Sequence, residues 1–182
     1  MGEGGGWVTL SPYNYSPKQP SLARILLVLF IFATLTIYSV KYYLDNRPSK
    51  LEKRLYELGY PREGFIATKE NSSVIIKYPD GSIVVKTGIH IEHYPVTAEK
   101  ALLLARQHFA PINQKLKEYD LDIRFFIKEE TLSEKVKGEQ RYWCFEVWQD
   151  RGGTKLNTYN YVCVNRQTKA IVIESPFSIS LG

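Results

Sequence analysis

Three histidines and two cysteines are the residues whose chemistry could set this 182-residue chain apart, and their spacing limits what that chemistry can be. His90-Ile91-Glu92-His93 is the only segment that resembles a metal site. In an extended strand His90 and Glu92 share a face while His93 opposes them, so an ion would need a further ligand from His108 or from a cysteine. Ordinary surface or helix-entry histidines are the preferred reading. No metal or cofactor is expected, and His90 and His93 stand as the weak candidates.

The cysteines raise a question of register. A hairpin centred between Gly153 and Thr154 sets Cys144 opposite Cys163, Phe145 opposite Val162 and Trp143 opposite Val164. It sends Trp143, Phe145, Val147, Val162 and Val164 to one buried face, and Tyr142, Cys144, Glu146, Trp148, Tyr159, Tyr161 and Cys163 to the other. Neighbouring even-numbered registers keep the faces but lose the cysteine match. Two readings therefore stand: a cross-strand disulfide, feasible at a non-hydrogen-bonded pair, or two free half-buried thiols.

Other chemistry is thinly represented. The chain has no Gly-rich phosphate loop, no nucleophile elbow and no cysteine pair of redox spacing, and Glu129 and Glu130 read as solvated loop charges. An enzyme is the minority reading. Trp148, Tyr159 and Tyr161, taken with Arg141, Arg151 and Arg166, suggest an aromatic outer face that could stack on nucleic acid but is equally typical of protein interfaces. The net charge of +5 and pI near 9.1 form no long basic tract, since acidic residues are interspersed. Neither a nucleic-acid partner nor a small-molecule substrate is expected.

The elements that must position these residues begin with an apolar run from Ile25 to Val40, uncharged until Lys41. Extended through Leu44 it makes a helix about 30 Å long, enough to cross a bilayer core. Its length, the bulky residues after it and the lack of a small-x-small site argue against a cleaved signal peptide. The expectation is a single transmembrane helix over 24–45, with lipid as a partner. Tyr38, Tyr42 and Tyr43 suit an interfacial belt, and Lys41, Arg47, Lys50, Lys53 and Arg54 suit headgroup height. Basic residues after the helix outnumber those before it, which by the positive-inside rule makes the C-terminal part cytoplasmic. The cysteine geometry points to the extracytoplasmic side instead.

Residues 1–23 form a Gly/Pro-rich tail whose aromatics Trp7, Tyr13 and Tyr15 could dock on a membrane or a neighbouring subunit. Residues 46–62 hold a short amphipathic helix, opened by the capping box Ser49-Lys50-Leu51-Glu52 and closed by Gly59 and Pro61. An α+β domain follows over 63–182. Its strands are Phe65–Thr68, Ser73–Tyr78 and Ile83–Thr87, with a turn at Pro79-Asp80-Gly81. A helix capped by Thr97 presents Ala98, Ala101, Leu102, Ala105, Phe109, Ile112 and Leu116 on one face, and Pro111 should kink or break it. Strands over Leu121–Ile127, Arg141–Gln149, Asn157–Asn165 and Lys169–Glu174 complete a helix packed on an antiparallel meander.

Thr97-Ala98-Glu99-Lys100-Ala101-Leu102-Leu103-Leu104-Ala105, Trp143-Cys144-Phe145-Glu146-Val147 and Tyr161-Val162-Cys163-Val164-Asn165-Arg166-Gln167-Thr168-Lys169-Ala170-Ile171 together resemble the PepSY domain over about residues 89–174. Lys169 stands where that family usually has Gly. The resemblance implies a cystatin-like α+β fold, usually outside the cytoplasm, that binds or restrains other proteins. The expectation for the whole chain is a membrane-anchored, non-catalytic structural or accessory subunit of a larger assembly, such as a membrane complex or an enveloped particle. A PepSY-like protease regulator or ligand sensor is the alternative, and a metal-dependent enzyme the second alternative.

Overall fold

The computed structural model describes residues 21–175, so Trp7, Tyr13 and Tyr15 lie outside the described residues. The chain divides into two units, Met1–Arg47 and Pro48–Gly182. The first contains helix α1, Leu22–Asp45, whose 24 residues span about 36 Å at 1.5 Å per residue. It is long and apolar enough to cross a membrane. Both of its threonine hydroxyls bond back to the helix. The Thr34 hydroxyl donates to the Phe30 and Ile31 carbonyls, Thr36 donates to the Phe32 carbonyl, and Asn46 closes the end by donating to the Tyr42 carbonyl.

The second unit is a mixed α+β fold. Helix α2, Lys50–Glu57, carries both halves of the capping box, with Glu52 N–H donating to Ser49 Oγ and Ser49 N–H to the Glu52 carboxylate. It buries Leu51 and Leu55, and Gly59 at φ 87° turns the chain away. Strands β1 (Ile66–Glu70), β2 (Ser73–Lys77), β3 (Ile83–Thr87) and β4 (His90–Tyr94) form one antiparallel sheet in that order. Helix α3, Ala98–Glu118, leads to β5 (Ile123–Lys137), β6 (Gln140–Arg151), β7 (Thr154–Asn165) and β8 (Ile171–Glu174), which form a second antiparallel sheet. The main core lies between α2, α3 and the inner face of this second sheet. Ala101, Leu102, Ala105 and Phe109 meet Trp143, Phe145, Val147, Val162 and Val164 there.

Helix α3 corrects the expectation of a break at Pro111, because it runs through that residue to Glu118. Proline forfeits the hydrogen bond to the carbonyl of Gln107, but both residues are exposed, so water can serve the freed acceptor. The apolar face is also shorter than expected, since Ile112 is exposed and Leu116 half-buried. Asn113 supplies order beyond the proline. Its amide donates to the Phe125 carbonyl and accepts from Phe125 N–H, both at 2.8 Å, pairing like a short piece of strand with the open edge of β5.

Two bulges set the faces of the second sheet. On β5, Lys128 lies opposite Glu146 and Ser133 opposite Cys144, so the four residues from Glu129 to Leu132 oppose Phe145 alone. Glu129 and Glu130 thus belong to a strand, not to a loop. The three extra residues reverse the parity of β5, turning Leu132 and Glu134 inward and Lys135 and Lys137 outward. The Thr131 hydroxyl holds the bulge, accepting from Glu146 N–H and donating to the Lys128 carbonyl. On β7, Val147 lies opposite Asn160 but Trp148 opposite Asn157, which leaves Thr158 and Tyr159 unmatched. The β6–β7 turn is at Gly152-Gly153, one residue earlier than expected. The two extra residues on β7 then restore the register at the cysteines.

Candidate functional site

Cys144 lies opposite Cys163 as the register argument required, with Cα atoms 4.0 Å apart and sulfurs at bonding distance. Both sit on the outer face of the second sheet, yet both are fully buried. A polar lid covers them. Lys135 reaches across to Glu174 at 3.0 Å and lies 4.4 Å above the Tyr161 ring, while Lys137 also pairs with Glu174. The Glu174 carboxylate comes within 4.8 Å of both sulfurs, so these three residues are the metal-capable cluster among the described residues. Two sulfurs bonded to each other have no thiolate to offer an ion. Burial pushes the Glu174 carboxyl up, but hydrogen bonds from Lys137 and Lys135, with their charges, outweigh it and hold the group below the usual carboxylate range.

Around the lid, lysines and aromatic rings pair across the outer face. Lys128 lies 4.1 Å from the centre of the Trp148 ring, Lys137 6.0 Å from Tyr142 and Lys155 5.9 Å from Phe126. Glu146 fixes the indole by accepting from Trp148 Nε1 at 2.8 Å. Trp148 and Tyr161 share this half-buried face, as expected. Tyr159 does not align with them, because it occupies the β7 bulge at φ 60° and is 61% exposed.

The inner face holds a site built around a buried charge. Arg166 was expected on the surface beside Arg141, but it is fully buried. Its guanidinium stacks 4.1 Å from the Trp143 ring and donates to the Tyr60 hydroxyl and the Glu134 carboxylate, both at 2.9 Å, and to the Gly81 carbonyl. Nε alone lacks a hydrogen-bond partner among the described residues. Arg141 reaches the same carboxylate from 3.4 Å. Trp143 anchors the cluster by donating from Nε1 to the Val96 carbonyl at 3.1 Å, with the Tyr60 ring 5.5 Å away. Burial pushes the Tyr60 hydroxyl up to about 12, against the lowering effect of Arg166. Gly81 is required here. It holds φ 79°, and a Cβ would meet Ala98 N at 3.3 Å. The signal that could have exposed this site was Glu134, a lone acid whose strand parity becomes legible only once the β5 bulge is known.

The remaining candidates are scattered. His90 and His93 fall on opposite faces of β4, across from Thr87 and Val84 respectively. Tyr38, Lys41, Tyr42 and Tyr43 are exposed on the last two turns of α1, and Arg47 is exposed just beyond. Lys53 is exposed on α2, and Lys50 approaches Glu130 at 3.7 Å. Arg54 turns toward its own domain, donating from Nε to the Leu132 carbonyl and pairing with Glu57. No protein-family profile, curated protein or solved structure matches the chain.

Proposed function

We propose that this chain is a single-pass membrane protein whose α+β domain is a non-catalytic structural or accessory subunit of a larger membrane-associated assembly, acting through protein contacts. The observation that carries the reading is the outer face of the second sheet, where the half-buried Trp148, Tyr161, Tyr142 and Phe126 each have a lysine ammonium within 6.0 Å of the ring centre. Such rings offer large rigid contact areas at low entropic cost, as interface centres require. Helix α1 supplies the anchor, with Tyr38, Tyr42 and Tyr43 at its interfacial end. The cysteine pair favours an oxidising, extracytoplasmic side for the domain. Purification of the full chain in mild detergent should return stoichiometric protein partners. Trp148→Ala with Tyr161→Ala should weaken their retention at least tenfold, whereas a monomer indifferent to both changes would overturn the reading.

A second reading, a PepSY-like regulator, draws support from α3 packed on a four-stranded antiparallel sheet and from Lys169, which adopts φ 66° where that family has Gly. It predicts that the full chain inhibits a peptidase without stable subunits attached.

A further inference from the structure

The first sheet has two unlike faces. On one, Ile75, Ile83, Val85 and Tyr94 form a small buried cluster, and the sheet's two carboxylates, Glu70 and Glu92, share that side with Lys77. On the other, the register sets Ala67, Ile76, Val84 and His93 in one row and Lys69, Val74, Lys86 and Ile91 in the next. This second face carries no carboxylate on its strands. Ile91 is 71% exposed on it, Ile89 at the β3–β4 tip is 97% exposed, and Phe65 stacks on Tyr78 at 6.0 Å one step beyond the Ile66–Lys77 pair. β-branched side chains, an aromatic pair and cations without acids are what an anionic lipid surface accepts: the apolar groups enter the headgroup boundary while the lysines meet phosphate and carboxylate.

We infer that this face, Val74, Ile76, Val84 and Ile91 with Lys69 and Lys86, docks on an anionic bilayer surface. The inference rests on the membrane-anchored reading above. Only four residues, Asn46 to Ser49, separate α1 from α2 in sequence, a connection of at most about 14 Å of extended chain. The placement of the carboxylates orients the sheet, since Glu70 and Glu92 both lie on the opposite face, where Lys77 offsets only one of them.

The test uses the full chain with Ile89→Cys carrying a nitroxide, in phosphatidylcholine nanodiscs with and without one third phosphatidylserine. Docking predicts that the label gains oxygen accessibility and loses accessibility to a water-soluble nickel complex in the anionic discs. Lys69→Gln and Lys86→Gln should each lower the docked-to-free ratio roughly fivefold, and raised salt should do the same without any substitution. A label that stays aqueous in both discs overturns the inference, as does immersion indifferent to phosphatidylserine, the lysines and salt. Shielding from both reagents would mark a protein or a second copy on this face and would also overturn it. Partner retention in mild detergent is read separately, so failure of docking and failure of the assembly reading are distinguishable.

Discussion

Where the second sheet lays Trp143, Phe145, Val147, Val162 and Val164 against α2 and α3, the first sheet closes only Ile75, Ile83, Val85 and Tyr94 around its centre. The larger sheet is held by apolar burial on one face and a cystine on the other. The smaller is fastened to it through individual bonds: Arg166 to the Gly81 carbonyl, the Tyr94 hydroxyl to the Glu139 carbonyl at 3.3 Å, and Arg141 over the Tyr94 ring at 6.0 Å. Burial spread over many side chains is lost only when the whole core opens, whereas a few bonds can be lost one at a time. The two sheets should therefore respond to different perturbations.

The largest effect is expected from Trp143→Ala, which opens a cavity in the main core and removes the ring on which Arg166 lies. A loss of about 3–5 kcal/mol should appear as global unfolding of the second unit in denaturant. Arg166→Met should cost about 3 kcal/mol, because Glu134 keeps only the more distant Arg141 as a cationic partner in a buried site. Here amide exchange should accelerate in β1–β4 more than in β6–β7. Equal acceleration in both sheets would break the distinction. Replacing Cys144 and Cys163 by a Val pair should reverse that pattern, loosening β6–β7 by about 2 kcal/mol while the first sheet's exchange is unchanged. The smallest effect comes from acid. Because the Glu174 carboxyl is held low, its contribution is complete above the ordinary carboxylate range and is lost as pH falls through its lower folded value. Thermal midpoints of the parent should fall more steeply than those of Glu174→Gln below about pH 4, and parallel curves would show that the lid does not stabilise the cystine region.

Much of this is legible in the residue pattern alone. The capping box of α2, the face of Ala98, Ala101, Leu102, Ala105 and Phe109, and the cysteine register follow from helix and strand periods read directly from residue types. The β7 bulge stayed hidden because two inserted residues preserve parity, leaving the hydrophobic pattern intact on either side. The β5 bulge failed in the opposite way. Three inserted residues reverse parity, so the alternation from Leu121 to Ile127 dissolves after Lys128 and the continuing strand reads as loop. Arg166 was unreadable for a related reason: its burial depends on Glu134 arriving from that reversed stretch, on Tyr60 beyond α2 and on the Gly81 turn, all remote in sequence. A charge in a turn looks solvated until its distant partners are known.

The cystine also has a mechanical consequence. Cys144 and Cys163 are 19 residues apart, so the whole β6–β7 turn hangs as a closed loop outside the covalent path between the chain's ends. A pull applied along the chain from the α1 side can peel the first sheet and straighten β5, but the load then passes directly from sulfur to sulfur. About 65 Å of contour is withheld from extension, making this hairpin a built-in stop against unravelling.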